Sequence, residues 1–181
     1  MKLKQLLLFV LCLISLIGSA QNYLPVERAS SVKFYINNFG FSTEGSFNGL
    51  RGEIYFNPSN LEKSSFEVSV NAASVFTKNR NRDTHLKSLD YFYVDKYPTI
   101  YLISKMISKS DQEGFYWFQG NLIIKGVTKE VKFLFSAVQE RSGYLFNGNL
   151  NINRRDFLVG SGSLVLSNNV QVSINVSTMK K

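Results

Sequence analysis

The chain has 181 residues, with 21 Lys or Arg against 13 Asp or Glu, one His and one Cys. So few His and Cys argue against zinc, copper and haem sites, which draw on several such ligands, and the acidic residues show no EF-hand spacing. The formal charge of +8 comes from basic residues scattered along the chain. That pattern suits solubility and attraction to anionic surfaces and leaves no nucleic-acid footprint.

Taken in chain order, the first element stands outside the fold. Lys2 and Lys4 precede "QLLLFVLCLISLIG", and Gly18 and Ala20 occupy the small-residue positions of a cleavage site. Charged, apolar and small residues in that order predict a secretory signal peptide over residues 1–20, cut after Ala20. The apolar stretch is short for a membrane span of about 20 residues. Cys12 follows Leu11 rather than a small residue, which argues against a lipoprotein. Removing 20 of the 181 residues leaves 161, a single domain over 21–181 with no cysteine, and the loss of Lys2 and Lys4 takes the charge from +8 to +6. That length suffices for a core. The expectation is an exported protein, periplasmic or extracellular, held together without disulfides.

From Ser31 onward the dominant pattern is alternation with period two, the mark of half-buried strands. It is cleanest in "SVKFYIN" (Val32, Phe34, Ile36), "SFEVSVNAAS" (Phe66, Val68, Val70, Ala72), "KEVKFLFSAVQ" (Val131, Phe133, Phe135, Ala137) and "NVQVSINVS" (Val170, Val172, Ile174, Val176). Further strands are predicted over 44–56, 99–108, 115–124, 144–151 and 161–166, divided by turn-forming stretches such as "NPSN", "SDQEG", "RSG" and "SNN" at 167–169. Only residues 78–89 break the rhythm: they are polar, with Leu86 and Leu89 at helical spacing, and read as a short helix or ordered loop.

With no long helix to cover its apolar face, the sheet must close on itself or pair with another. The fold class is therefore all-β, with an antiparallel, lipocalin-like barrel of about eight strands. Such a barrel is either filled by side chains or holds one small ligand, and periodicity does not choose between these.

Nucleophilic catalysis finds little support. Asp83 lies two residues from His85, the sole histidine, but there is no GxSxG elbow. "GSGS" at 160–163 lacks the Lys-Ser/Thr ending of a phosphate loop. The expectation is a protein that is not an enzyme and uses no cofactor and no metal.

Two stretches, "TKNRNRDTHLKSLDYFYVDKYPTIYLIS" and "FQGNLIIKGVTKEVKF", resemble the YceI-like family of exported polyisoprenoid-binding proteins. The first carries Asn79, Arg82, Asp83, His85, Leu86, Ser88, Asp90, Phe92, Tyr97, Pro98, Ile100 and Ser104. The second carries Gly120, Leu122, Ile124, Gly126, Val127, Thr128 and Val131. "GSFNGLRGEIYFNP" and "NRRDFLVGSG" resemble the flanking blocks, with Leu158 where the family commonly has Gly. The resemblance implies a lipocalin-like barrel with a long apolar pocket for an isoprenoid chain, such as a quinone tail or a polyprenyl lipid.

Alternation and resemblance together give a candidate cavity of Phe34, Val68, Val70, Phe92, Ile100, Trp117, Phe133, Phe135, Val172 and Ile174. The candidate mouth is Asn79, Arg82, Asp83, His85 and Tyr97. The same mouth residues also fit a purely structural reading: a surface ion pair, a capping histidine and aromatics closing one barrel end. Two functions follow. One is non-enzymatic binding, storage or transport of an apolar lipid, a polyisoprenoid or isoprenoid quinone by the resemblance, with no nucleic acid as a partner and with room for transient membrane-surface contact and for a homodimer. The alternative is a periplasmic or secreted stress-response or interaction module with a filled barrel and no lipid.

Overall fold

The computed structural model describes residues 21–181; the expected signal segment, residues 1–20, lies outside the described residues. Alternating sequence becomes strand throughout: β1 (Gln21–Pro25), β2 (Ser31–Asn38), β3 (Phe41–Phe47), β4 (Arg51–Phe56), β5 (Ser65–Asn71), β6 (Thr99–Lys109), β7 (Phe115–Ile124), β8 (Val127–Gln139), β9 (Tyr144–Asn153) and β10 (Leu166–Lys180). One helix, α1 (Arg80–Lys87), stands between β5 and β6. It starts where the Asn79 side chain accepts the Arg82 amide at 3.0 Å, an N-cap that satisfies one of the free amides of the first turn.

Every pairing is antiparallel, and the sheet runs β1-β4-β5-β6-β7-β8-β9-β10 before β1 returns to β10 and closes an eight-strand ring. The β2–β3 hairpin continues the same wall, because β2 pairs with the first part of β10 and β1 with its last residues. A turn at Glu27–Ala29 separates β1 from β2, and Asn48 to Leu50 separates β3 from β4. Closure leaves β3 as the one edge among the described strands, tied on its outer side by the isolated Ser46–Phe76 bridge.

Three sequence expectations need correction. The single strand predicted over 44–56 is two, because the wall bends at Asn48–Leu50. The strand predicted over 161–166 is irregular chain, apart from Leu166, which opens β10; these residues wrap a buried arginine described below. The "SNN" predicted as a turn at 167–169 lies inside β10, where the register with β2 shifts between Leu166 and Val170. β1 was not legible, being five residues long with Pro25 at its end.

Inward side chains change character along the barrel. At the end bounded by Gln21, Phe56, Ser65 and Tyr144 they are mostly aromatic. Phe56, 2% exposed, lies edge-on to Tyr116, Tyr144 and Phe146 at 5.1–5.3 Å between ring centres. Phe66, Phe118, Phe133 and Phe135 continue the cluster, with Phe118 and Phe133 stacked at 4.9 Å. Gly148 makes room for this: a Cβ there would stand 2.8 Å from the Phe133 ring. The rings plug one end solidly.

Phe56→Ala is expected to lower unfolding free energy by about 3–5 kcal/mol, the range for deleting a buried ring, measured by chemical denaturation. A loss below about 1 kcal/mol would show that the plug does not carry the fold.

Candidate functional site

Toward the opposite end the inward positions turn aliphatic: Val68 and Val70 on β5, Ile100 and Leu102 on β6, Leu122 and Ile124 on β7, Leu150 and Ile152 on β9, and Val170, Val172 and Ile174 on β10. Branched side chains reach less far than rings, so the same bore is left unfilled. The result is a cavity of about 500 Å³, within the usual range of small-ligand pockets. Phe34 and Phe47 complete the wall, and Leu86, Tyr91 and Phe92 cover part of the open end.

The mouth is built from α1, the segment after it, and residues 154–166. Asp83 does not face the cavity. Its carboxylate accepts the Thr77 amide at 2.8 Å and the Thr77 hydroxyl at 2.5 Å, and both residues are buried. Arg82 donates from Nε to the same hydroxyl at 2.7 Å and from Nη2 to the Thr77 carbonyl at 2.6 Å. Thr77 thus joins the two charges while Arg82 reaches the cavity wall. His85 also lines the cavity and meets Tyr91 edge-on at 4.8 Å. Residues i and i+2 do not share a helix face, so Asp83 and His85 form no catalytic pair.

Arg154 is the residue that sequence reading passed over. It is 4% exposed, lines the cavity, and donates to the carbonyls of Ser167, Val159 and Ser161 at 2.8–3.0 Å and to the Asn168 side chain at 3.1 Å. Burial pushes its pKa down, an effect partly offset by Tyr91. Oxygen acceptors rather than a carboxylate solvate this charge, and in doing so they fix the irregular chain of 158–168. Lys125 links the remaining pieces, donating to the Leu158 carbonyl at 2.7 Å and the Asp90 carbonyl at 3.3 Å. Desolvation is the main cause of its lowered pKa. The Gly160 amide also bonds the Asp90 carbonyl at 2.8 Å.

Of the ten candidate cavity residues, Phe34, Val68, Val70, Phe92, Ile100, Val172 and Ile174 line the cavity. Phe133 and Phe135 point inward but lie in the aromatic plug beneath it. Trp117 is a correction: it alternates with buried Phe118, so it faces outward, where the Lys132 ammonium lies 4.9 Å from its ring centre. Of the candidate mouth residues, Arg82 and His85 line the cavity, whereas Asn79 caps α1, Asp83 anchors Thr77, and Tyr97 covers the β7–β8 turn. Gly126 sits there at φ +75, and a Cβ would come within 2.6 Å of the Tyr97 ring. Among the described residues no Asp or Glu lines the cavity, and no three His, Cys, Asp or Glu side chains gather.

A closed antiparallel barrel with a plugged floor and an apolar, single-mouthed cavity is the architecture of small-ligand-binding barrels. The YceI-like domain model matches residues 23–178, and the chain belongs to that family. A UPF0312 protein of Ectopseudomonas mendocina is 31% identical over 157 residues, covering 83% of this chain and 82% of that one. Among solved structures, Burkholderia cenocepacia BcnA superposes with a TM-score of 0.80 at 23% identity, over 84% of this chain and 98% of its own. A polyisoprenoid binding domain from Saccharophagus degradans, implicated in plant cell wall breakdown, gives 0.74 at 14% identity, over 88% and 98%. At these identities the two structures establish the shared fold.

Arg154→Met is expected to lower stability by about 1–3 kcal/mol, because several carbonyls lose their donor. Hydrogen exchange should accelerate over 158–168 while the plug strands stay protected. Uniform acceleration across the barrel would contradict the local role assigned to Arg154.

Proposed function

We propose that this chain is an exported, non-enzymatic carrier or store of an elongated apolar lipid, an isoprenoid or isoprenoid quinone by class, held in the barrel cavity. The observation that carries the reading is the change from rings to branched aliphatics along the bore, which leaves about 500 Å³ of apolar space open at one end only. Each buried CH2 contributes about 0.8 kcal/mol, so a flexible chain gains affinity there without specific polar partners. Its polar end would sit among Arg82, His85 and Tyr91 at the mouth. The isoprenoid class is supported by family membership and by the polyisoprenoid binding ascribed to the Saccharophagus degradans domain. Export is supported by the charged, apolar and small-residue order of residues 1–20. A filled interaction module is the less favoured reading, because the upper bore is hollow.

Organic extraction of the protein purified from its native host, followed by mass spectrometry, should yield a lipid in near-stoichiometric amount. Val172→Trp, which places a ring in the open bore, is expected to abolish that co-purification with little loss of stability. Absence of lipid from the unaltered protein, together with no uptake of prenylated probes at micromolar concentration, would overturn the proposal.

A further inference from the structure

The connecting loops carry charge at both barrel ends, with two exceptions. At the plugged end, the connections over 57–64, 110–114 and 140–143 carry Glu62, Lys63, Asp111, Glu113, Glu140 and Arg141. At the cavity end, two stretches, 37–43 and 158–169, contain no charged residue at all. These uncharged stretches expose large apolar side chains: Phe39 is 69% exposed, Phe41 78%, Leu164 106% and Val165 40%. They form one rim, because the Phe39 amide donates to the Val165 carbonyl at 2.9 Å. Asn38 and Val165, beside these tips, also line the cavity.

Exposed apolar patches of this kind mark interaction surfaces. We infer that the Phe39–Phe41 tip and the Leu164–Val165 loop dock the cavity mouth onto a phospholipid bilayer surface. Three observations favour a bilayer over a protein partner. The tips can enter the interfacial region without desolvating a charge, and aromatic and aliphatic side chains are what such shallow insertion uses. Basic groups are set back from them: Arg155 is exposed and reaches the Gly160 carbonyl at 3.3 Å, and Lys78, its side chain 75% exposed, lies 3.8 Å from Glu44 on β3. Cations so placed attract anionic headgroups. The rim is also continuous with the cavity wall, giving a water-insoluble chain a path from bilayer to bore. This last argument rests on the carrier reading; the first two do not.

The test uses residues 21–181, which contain every strand of the barrel, and vesicles of phosphatidylcholine with phosphatidylglycerol. The unaltered protein should float with the vesicles. The combined variant Phe39→Ser, Phe41→Ser, Leu164→Ser should lose about tenfold in partitioning, equivalent to about 1.4 kcal/mol. Leu164→Asp alone should also reduce flotation; Leu164 has no buried surface, so this variant guards against a folding artefact. Failure of the unaltered protein to float, or equal flotation of the variants, overturns the inference. So does a concentration-dependent dimer that the combined variant abolishes while vesicles remain unbound, which would assign the rim to a second copy. Flotation by a protein from which no lipid is ever extracted would uphold the rim and remove the carrier reading; extracted lipid without flotation would do the reverse.

Discussion

Tyr23 pairs with Ile54 on one side and with Lys180 on the other. That double pairing of a five-residue strand turns an open sheet into a ring, and the rest of the molecule depends on it. An open sheet of this composition would have to find a second layer for its apolar face. A ring covers that face with itself and fixes the bore. Once the bore is fixed, the size of each inward side chain alone decides whether a given level is solid or hollow.

This explains how one barrel can be both. Phe56, Phe66, Phe118, Phe135 and Phe146 are all buried and fill their level ring against ring. Val68, Leu122, Leu150 and Val172 face the same diameter with fewer atoms. The mouth above them has no ladder to hold it and relies on polar ties instead: Thr77 between Arg82 and Asp83, Arg154 among the carbonyls of 159–167, and Lys125 between Asp90 and Leu158. Buried donors that satisfy backbone acceptors make irregular chain as definite as strand.

The strands were legible because alternation reports a wall with one dry face, and residues such as Val32, Phe34 and Ile36 declare it locally. Seven of the ten candidate cavity residues were legible for the same reason. Whether an inward residue fills space or bounds it was not legible: Phe133 and Val172 carry the same alternation signal, and only their height along the barrel separates plug from cavity. Trp117 was misplaced because its strand has bulky residues on both faces, Tyr116 and Phe118 inside and Trp117 outside. Arg154 was invisible because its role lies in reaching backbone carbonyls up to 13 residues away, which no periodicity encodes. The available signals were the family-like "NRRDFLVGSG" block that contains it and the Ser-, Gly- and Asn-rich stretch after it, whose lack of alternation marks chain that needs some other support.

The aromatic plug has one more implication. It makes the bore a blind hole, so whatever goes in must come out by the way it entered, and in the reverse order. A guest shorter than the hole can sink out of reach; a longer one must leave its surplus standing at the opening. The position of the Phe56 layer therefore works as the zero mark of a gauge, and moving that layer by one inward-facing residue along the strands would change which molecules present a free end to the outside and which are hidden whole.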